Sequence, residues 1–303
     1  MIRLDDTTGN AVAAAIASQR HKMGSPAVGM VLTLLVLCDE ESQADAVQAA
    51  TFAAREHPMR IIVLIPRPGR WETRLDAEIS VGGDDGPGEV AVLRLRGELA
   101  AHAGSVAIPL LLPDTPVVAW WPADAPDVVA ADPIGSHAQR LITDAAAVED
   151  PVAGLRSRRE GYHPGDTDLA WTRLTPWRSM LAAALDQPHA PLVGAEVSVE
   201  EGSPSGPLLA SWLQVRLGVP CELTTTEGPG ITAVSLRTEA GDITLTRPDG
   251  RVAQLTMPGQ PPSTVALPRR SLAELLAEEL RRLDPDETYE AALDGIDAAG
   301  RPA

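Results

Sequence analysis

The sequence predicts an N-terminal three-layer α/β domain with a mostly parallel sheet, followed by a C-terminal α+β domain with an antiparallel meander. Three observations predict it. The apolar runs "AVGMVLTLLVLC" (27–38) and "MRIIVLIP" (59–66) do not alternate, as expected of strands buried on both faces. Between them, "DEESQADAVQAATFAAREH" has acids in its first turn, Ala and Val at helical spacing, and Pro58 as its stop. In the C-terminal half, strand-like stretches are joined at "EAGD" and "RPDG", the turn chemistry of antiparallel neighbours.

Strand, helix and strand within about 40 residues make a βαβ unit, which implies a right-handed crossover and a parallel pair. "RLDAEISVGG" alternates and reads as a strand ending in a turn. "EVAVLRLRG" alternates apolar residues with Arg, the pattern of an edge or half-exposed strand. "ELAAHAGSVAIPLLLP" is helical up to Pro109, "PVVAWW" is a short buried strand, and Arg140 to Asp144 form a last strand. Residues 1–150 are thus a Rossmann-like α/β domain, and 151–165, "PVAGLRSRREGYHPG", a connection mixing Pro, Gly and a basic cluster.

Residues 166–303 form the second domain. "DTDLAWTRLTPWRSMLAAALD" is helical in two pieces broken near Pro176, and "GAEVSVEEG" is a strand. "GPLLASWLQVRLG" is an amphipathic helix ended by Gly218, with three strands after it. "SLAELLAEELRRL" sets Ser271 and Glu274 at capping-box spacing, and the tail restarts as a helix with Asp284 as its cap.

Bulk composition excludes several functions. A formal charge of −17, with 42 acids against 25 bases, opposes nucleic acid and an anionic membrane surface alike. The longest strongly apolar run, Val28 to Cys38, is short of the roughly 20 residues a membrane span needs. Two distant cysteines, Cys38 and Cys221, form neither a zinc motif nor a disulfide framework and fit a reducing cytoplasm. The N-terminus carries acids where a signal peptide needs positive charge.

No cofactor or metal is expected. After the first buried strand stands "CDEES", where a dinucleotide site needs glycines and a helix N-terminus free for pyrophosphate. "VGGDDGPGEV" (81–90) is Gly-rich but holds Asp84 and Asp85 and leads into a strand. The six histidines make no ligand motif, and "DPIGSH" (132–137) assembles no triad by local spacing alone. One weak anion position remains: Ser203, Ser205 and Gly206 precede a helix whose N–H groups would favour a sugar phosphate or carboxylate. A serine N-cap is the plainer reading.

Six tryptophans in a chain with one Phe and two Tyr call for a use. "DLAWTRLTPWR" packs Trp171, Arg173, Trp177 and Arg178 into eight residues, either as second-domain core or as interface anchors of the kind in which Trp and Arg are over-represented. Trp120 and Trp121 are strand neighbours and so point to opposite faces. They lie at the carboxyl end of their strand, where open α/β sheets place their functional crevice. One ring pointing out there would form a docking platform.

"GSPAVGMVLTLLVL", "AAREHPMRIIVLIP", "LLLPDTPVVAWWP", "DLAWTRLTPWR" and "LLASWLQVRLG" occur in this order, from about residue 20 to about residue 285. In this the chain resembles the glucose-6-phosphate dehydrogenase assembly proteins, the OpcA family. The resemblance implies a non-enzymatic cytoplasmic protein that binds glucose-6-phosphate dehydrogenase and promotes its active oligomer, so supporting NADPH supply by the oxidative pentose phosphate pathway. It brings no agreed catalytic residues. Redox control, discussed for some relatives, is not carried over, since Cys38 and Cys221 form no local pair. The alternative is a sugar-phosphate-sensing module or enzyme that uses the 202–206 loop.

Overall fold

The computed structural model describes residues 1–22, 29–82 and 88–297. The start of the first apolar run, at Ala27 and Val28, and Asp84 and Asp85 of the Gly-rich loop lie outside them. Contacts divide the chain into two compact units. The first comprises residues 1–147, 163–167 and 271–285; the second comprises residues 148–162, 168–270 and 286–303.

The first unit is built on an eight-stranded sheet. Its strands are β1 (Ile2–Leu4), β2 (Leu32–Leu37), β3 (Met59–Arg67), β4 (Arg74–Val81), β5 (Glu89–Arg96), β6 (Val117–Trp120), β7 (Arg140–Thr143) and β8 (Asp166–Asp168), in the order β1-β4-β5-β3-β2-β6-β7-β8. The five strands from β5 to β7 in this order run parallel, as the βαβ reading expects. β4 and β1 extend the sheet antiparallel.

One face carries α1 (Gly9–Lys22) and the turns around α3 (Ala103–Ala107). Their Val12, Ile16, Val106 and Leu110 join Leu35, Ile62, Leu64, Leu75, Leu93 and Trp121 in one core. The other face carries α2 (Gln43–Ala53), which buries Ala46, Ala49, Ala50 and Ala53. Such small side chains let a second helix approach closely, and α8 (Leu272–Glu279) lies against α2. His57 Nε2 stands 3.0 Å from the Ala277 carbonyl, and the Arg281 guanidinium reaches Glu56 at 2.9 Å. The helix after Ser271, which the sequence places in the second domain, therefore belongs to the first unit. Its capping box between Ser271 and Glu274 forms as its spacing predicts.

β5 is an interior strand between β4 and β3, so of the two readings its pattern allowed, edge or half-exposed, the second holds: Arg94 and Arg96 are half-buried while Leu93 and Leu95 are fully buried. Its Arg residues are retained because acids answer them. Arg94 meets Glu40 at 2.6 Å and Glu78 at 3.2 Å, and Arg96 meets Asp76 at 3.4 Å. At the strand's start, Glu89 is buried between Arg20 and Arg60, each at 2.7 Å. This pairing ties the end of α1 to the sheet.

The second unit begins with α4 (Pro151–Glu160), so most of the stretch read as a connection is helical, capped by Asp150 through the Ala153 amide. Then follow α5 (Leu169–Thr172) and α6 (Thr175–Leu185), separated by Arg173 and Leu174, with Pro176 in the first turn of α6, so the break falls near Pro176 as the sequence indicates. The sheet has six strands: β9 (Leu192–Glu200), β10 (Cys221–Thr226), β11 (Ile231–Thr238), β12 (Ile243–Thr246), β13 (Val252–Thr256) and β14 (Ser263–Ala266). Their order is β10-β9-β11-β12-β13-β14, all antiparallel except β10 with β9. α7 (Ser205–Leu217) lies on one face and ends on Gly218, whose φ of 67° is the left-handed geometry a helix stop favours. The last helix, α9 (Glu287–Asp294), is capped by Asp286 rather than Asp284. Pro285 separates the two acids, and it is Asp286 whose carboxylate receives the Thr288 and Tyr289 amides.

Candidate functional site

The position where a Rossmann-like unit would receive phosphate is the turn from β2 into α2. Here the Asp39 carboxylate accepts hydrogen bonds from the Ser42 hydroxyl at 2.6 Å and the Ser42 amide at 2.8 Å. These hold Asp39 below its ordinary pKa. Glu40 accepts from Arg94 at 2.6 Å and pairs with Arg67 at 2.7 Å. Burial pushes its pKa up but is outweighed by the two guanidiniums, which leave it below the usual carboxylate range. Two ionised carboxylates thus occupy the helix start that an anionic ligand would need.

Nucleophilic and metal chemistry find no better footing among the described residues. No group of three or more His, Cys, Asp or Glu could hold a metal ion there. Burial, with help from Asp39 and Glu40, pushes the Cys38 thiol up to about 12; burial and Glu222 do the same for Cys221. Both therefore stay protonated at neutral pH and are poor nucleophiles. No helix among the described residues is long and apolar enough to cross a membrane.

The tryptophans picked out by sequence lie inside. Trp120 and Trp121 do face opposite ways: Trp121 enters the core under α1, alongside Val117 and Ala119, and Trp120 points to the other face. Both are 2% exposed or less, so helices and loops cover the carboxyl end of β6 and neither ring forms an open platform. In the second unit, Trp171 donates from Nε1 to Asp286 at 2.8 Å and packs on Tyr289, ring centres 5.8 Å apart. Tyr289 meets Tyr162 edge-on at 6.1 Å, so both tyrosines of the chain join this cluster. The Arg178 guanidinium stacks 3.6 Å from the Trp171 ring, and Arg247 sits 4.9 Å from Trp177. Arg173 is half-buried. The spacing of "WTRLTPWR" therefore produces one cation–π pair, Arg178 on Trp171, while Trp177 receives Arg247 from after β12.

The 202–206 loop is also bound up in packing. The Ser205 hydroxyl donates to the Ala170 carbonyl at 3.0 Å, and α7 has Pro204, not a serine, as its cap. Gly206 is required by contact: a Cβ there would stand 2.7 Å from Val199 Cγ1. Ser203 is half-buried beside it, its amide bonded to the Glu200 carbonyl.

What the residues do leave open is one face of the six-stranded sheet. On β9 and β11, Ala195, Val197, Val199, Val234 and Leu236 are buried on the α7 side. Their neighbours point the other way. Strand pairing lines these up in rows: Thr224, Ser198, Ala233, Thr246, Gln254 and Thr264 form one, crossing all six strands. Glu222, Glu196, Ser235, Thr244 and Thr256 form the next. Every member is half-buried or exposed. Arg237 crosses the second row, donating to Glu196 at 2.7 Å and Glu222 at 2.9 Å, while the Thr224 hydroxyl donates to Glu196 at 2.8 Å. The Thr224 hydroxyl first, and Arg237 after it, lower the Glu196 pKa. The surface is hydroxyl-rich, with Glu196 and Glu222 against one arginine. Its clearest sequence signal was "ITLT", where Thr244 and Thr246 alternate with apolar Ile243 and Leu245.

Comparison with known proteins identifies the family. Residues 50–160 match the glucose-6-phosphate dehydrogenase subunit N-terminal domain, and residues 164–293 the corresponding C-terminal domain. A protein of Synechococcus elongatus that carries the provisional name OxPP cycle protein OpcA is 28% identical over 256 residues, which cover 77% of this chain and 54% of the relative. A Nostoc punctiforme protein of the same name is 24% identical, covering 93% of this chain and 66% of its own length. The chain thus spans about half to two thirds of these relatives. Among solved structures, a 3-ketoreductase of Actinomadura kijaniata is similar at 12% identity with a TM-score of 0.48, over 89% of this chain and 97% of that one, too distant to bear on function. With its two domains matched in order, the chain belongs to the glucose-6-phosphate dehydrogenase assembly (OpcA) family.

Proposed function

We propose that this chain is a non-catalytic cytoplasmic assembly factor that binds glucose-6-phosphate dehydrogenase through the open face of its six-stranded sheet and favours the active oligomer. In doing so it would support the oxidative pentose phosphate pathway and NADPH supply. The observation that carries this reading is the face opposite α7: its two rows of mostly polar side chains are half-buried or exposed, and no helix among the described residues packs on them. The face carries Glu196, Glu200 and Glu222 against Arg237, so a second copy would meet it with like charge, whereas a basic partner surface would be attracted. The acids at the start of α2 support the non-catalytic part, since they oppose a nucleotide phosphate.

The mechanism is linkage. A protein that binds one oligomeric state better than another shifts their ratio by that difference, and about 1.4 kcal/mol of preference is tenfold at saturation. Mixing purified dehydrogenase with this chain and following activity together with mass tests the proposal. A rise in both is expected. A dehydrogenase whose mass and activity ignore a saturating excess of the chain would rule it out.

A further inference from the structure

Of the six tryptophans, four are 2% exposed or less and Trp212 is half-buried, but Trp71 is 65% exposed. It stands in the loop from β3 to β4, which leaves the carboxyl end of a parallel strand, the end at which open α/β sheets carry their sites. Gly69, at φ 139°, lies under the indole: a Cβ there would be 3.2 Å from Trp71 Cδ1 and Nε1. Gly97, at φ 62°, lets the Trp71 carbonyl approach where a Cβ would stand at 2.6 Å. Two glycines in conformations that other residues adopt with strain thus let the loop lie close on itself and on the end of β5. Next to the indole, Arg70 is exposed and enters no ion pair or hydrogen bond among the described residues.

From this we infer that Trp71, with Arg70, is a protein-docking anchor on the first unit, separate from the open sheet face of the second. An indole has only two side-chain torsions to lose on binding, and Trp and Arg dominate interface hot spots for that reason together with their contact area and donors. The occupant it fits is a folded protein surface with an apolar slot for the ring and an acidic or carbonyl edge for Arg70. A lipid surface is disfavoured because the chain carries a net charge of −17. The inference rests on the reading that the chain binds the dehydrogenase, and makes the dehydrogenase the owner of the slot.

The test uses the full chain and purified dehydrogenase in sedimentation titrations of wild type, Trp71→Ala, Trp71→Phe and Arg70→Ala. Trp71→Ala is expected to weaken the complex about 30-fold or more, with Trp71→Phe intermediate and Arg70→Ala weaker in a salt-dependent way. Thermal unfolding should be unchanged in all three, since the ring is on the surface; Trp71→Phe serves if Trp71→Ala unfolds. Wild-type affinity in folded Trp71→Ala would overturn the anchor while leaving the functional reading intact. A wild-type chain that forms no complex would sink both. The anchor is also overturned if Trp71→Ala instead abolishes self-association of this chain alone, or its co-sedimentation with phosphatidylserine-containing vesicles.

Discussion

The two sheets of this protein treat their faces differently. In the first unit the central strands are covered on both sides: Leu34 and Leu35, neighbours on β2 with opposite directions, are 0% and 1% exposed. In the second unit the central strands β9, β11 and β12 bury alternate residues, so Leu245 on β12 is buried and Thr246 beside it is not. The lesson concerns where binding can be added. A parallel sheet sandwiched by helices has no spare surface except at its strand ends, whereas a sheet packed on a single helical layer keeps a whole face free.

One ion pair from each sheet gives the largest expected contrast. Glu89 is buried between Arg20 and Arg60, so Glu89→Ala leaves uncompensated buried cations and should cost about 3–5 kcal/mol in urea unfolding. Glu196, on the bare face with Arg237, is solvent-screened, and Glu196→Ala should cost no more than about 1 kcal/mol. Equal losses would mean that the two faces are not distinct environments. Side-chain truncation sharpens the point. Leu34→Ala and Leu35→Ala should each lose about 2–5 kcal/mol, and Leu245→Ala likewise, while Thr246→Ala stays within about 0.5 kcal/mol.

The smallest effect is one the units share. Cys38 and Cys221 both have thiols raised to about 12 by burial, from an ordinary value near 9.0. The folded state therefore holds these protons more tightly than the unfolded chain. That contribution is complete below the unfolded pKa and is lost as pH rises from about 9 to about 12. The urea midpoint should fall across that window, and fall less in a Cys38→Ala, Cys221→Ala double variant.

Much of this was legible in the sequence, and the misses have physical causes. Unbroken apolar runs gave the parallel strands, Pro176 and Gly218 punctuated the second unit, and Ser271 with Glu274 announced a capping box. The owner of that capped helix could not be read locally, because it is settled by the alanine face of α2, more than 200 residues earlier in the chain. The pattern of β5 left edge and half-exposed strand both open because Arg94 and Arg96 look solvated, and only the fold reveals Glu40, Glu78 and Asp76 opposite them. The tryptophans misled for a related reason: composition marks a Trp as costly, but Trp120, Trp121, Trp171 and Trp177 spend that size on packing. The exposed one, Trp71, sits in an ordinary-looking "PGRWET" loop.

The central claim is that the bare face of the second sheet is where the dehydrogenase docks. Ala233→Trp and Thr246→Arg place bulk in the middle of that face without touching the side packed on α7. Titrated into purified glucose-6-phosphate dehydrogenase beside wild type, both variants should unfold at the wild-type temperature yet leave mass and activity at their basal values. Folded variants that raise mass and activity as wild type does would contradict the claim.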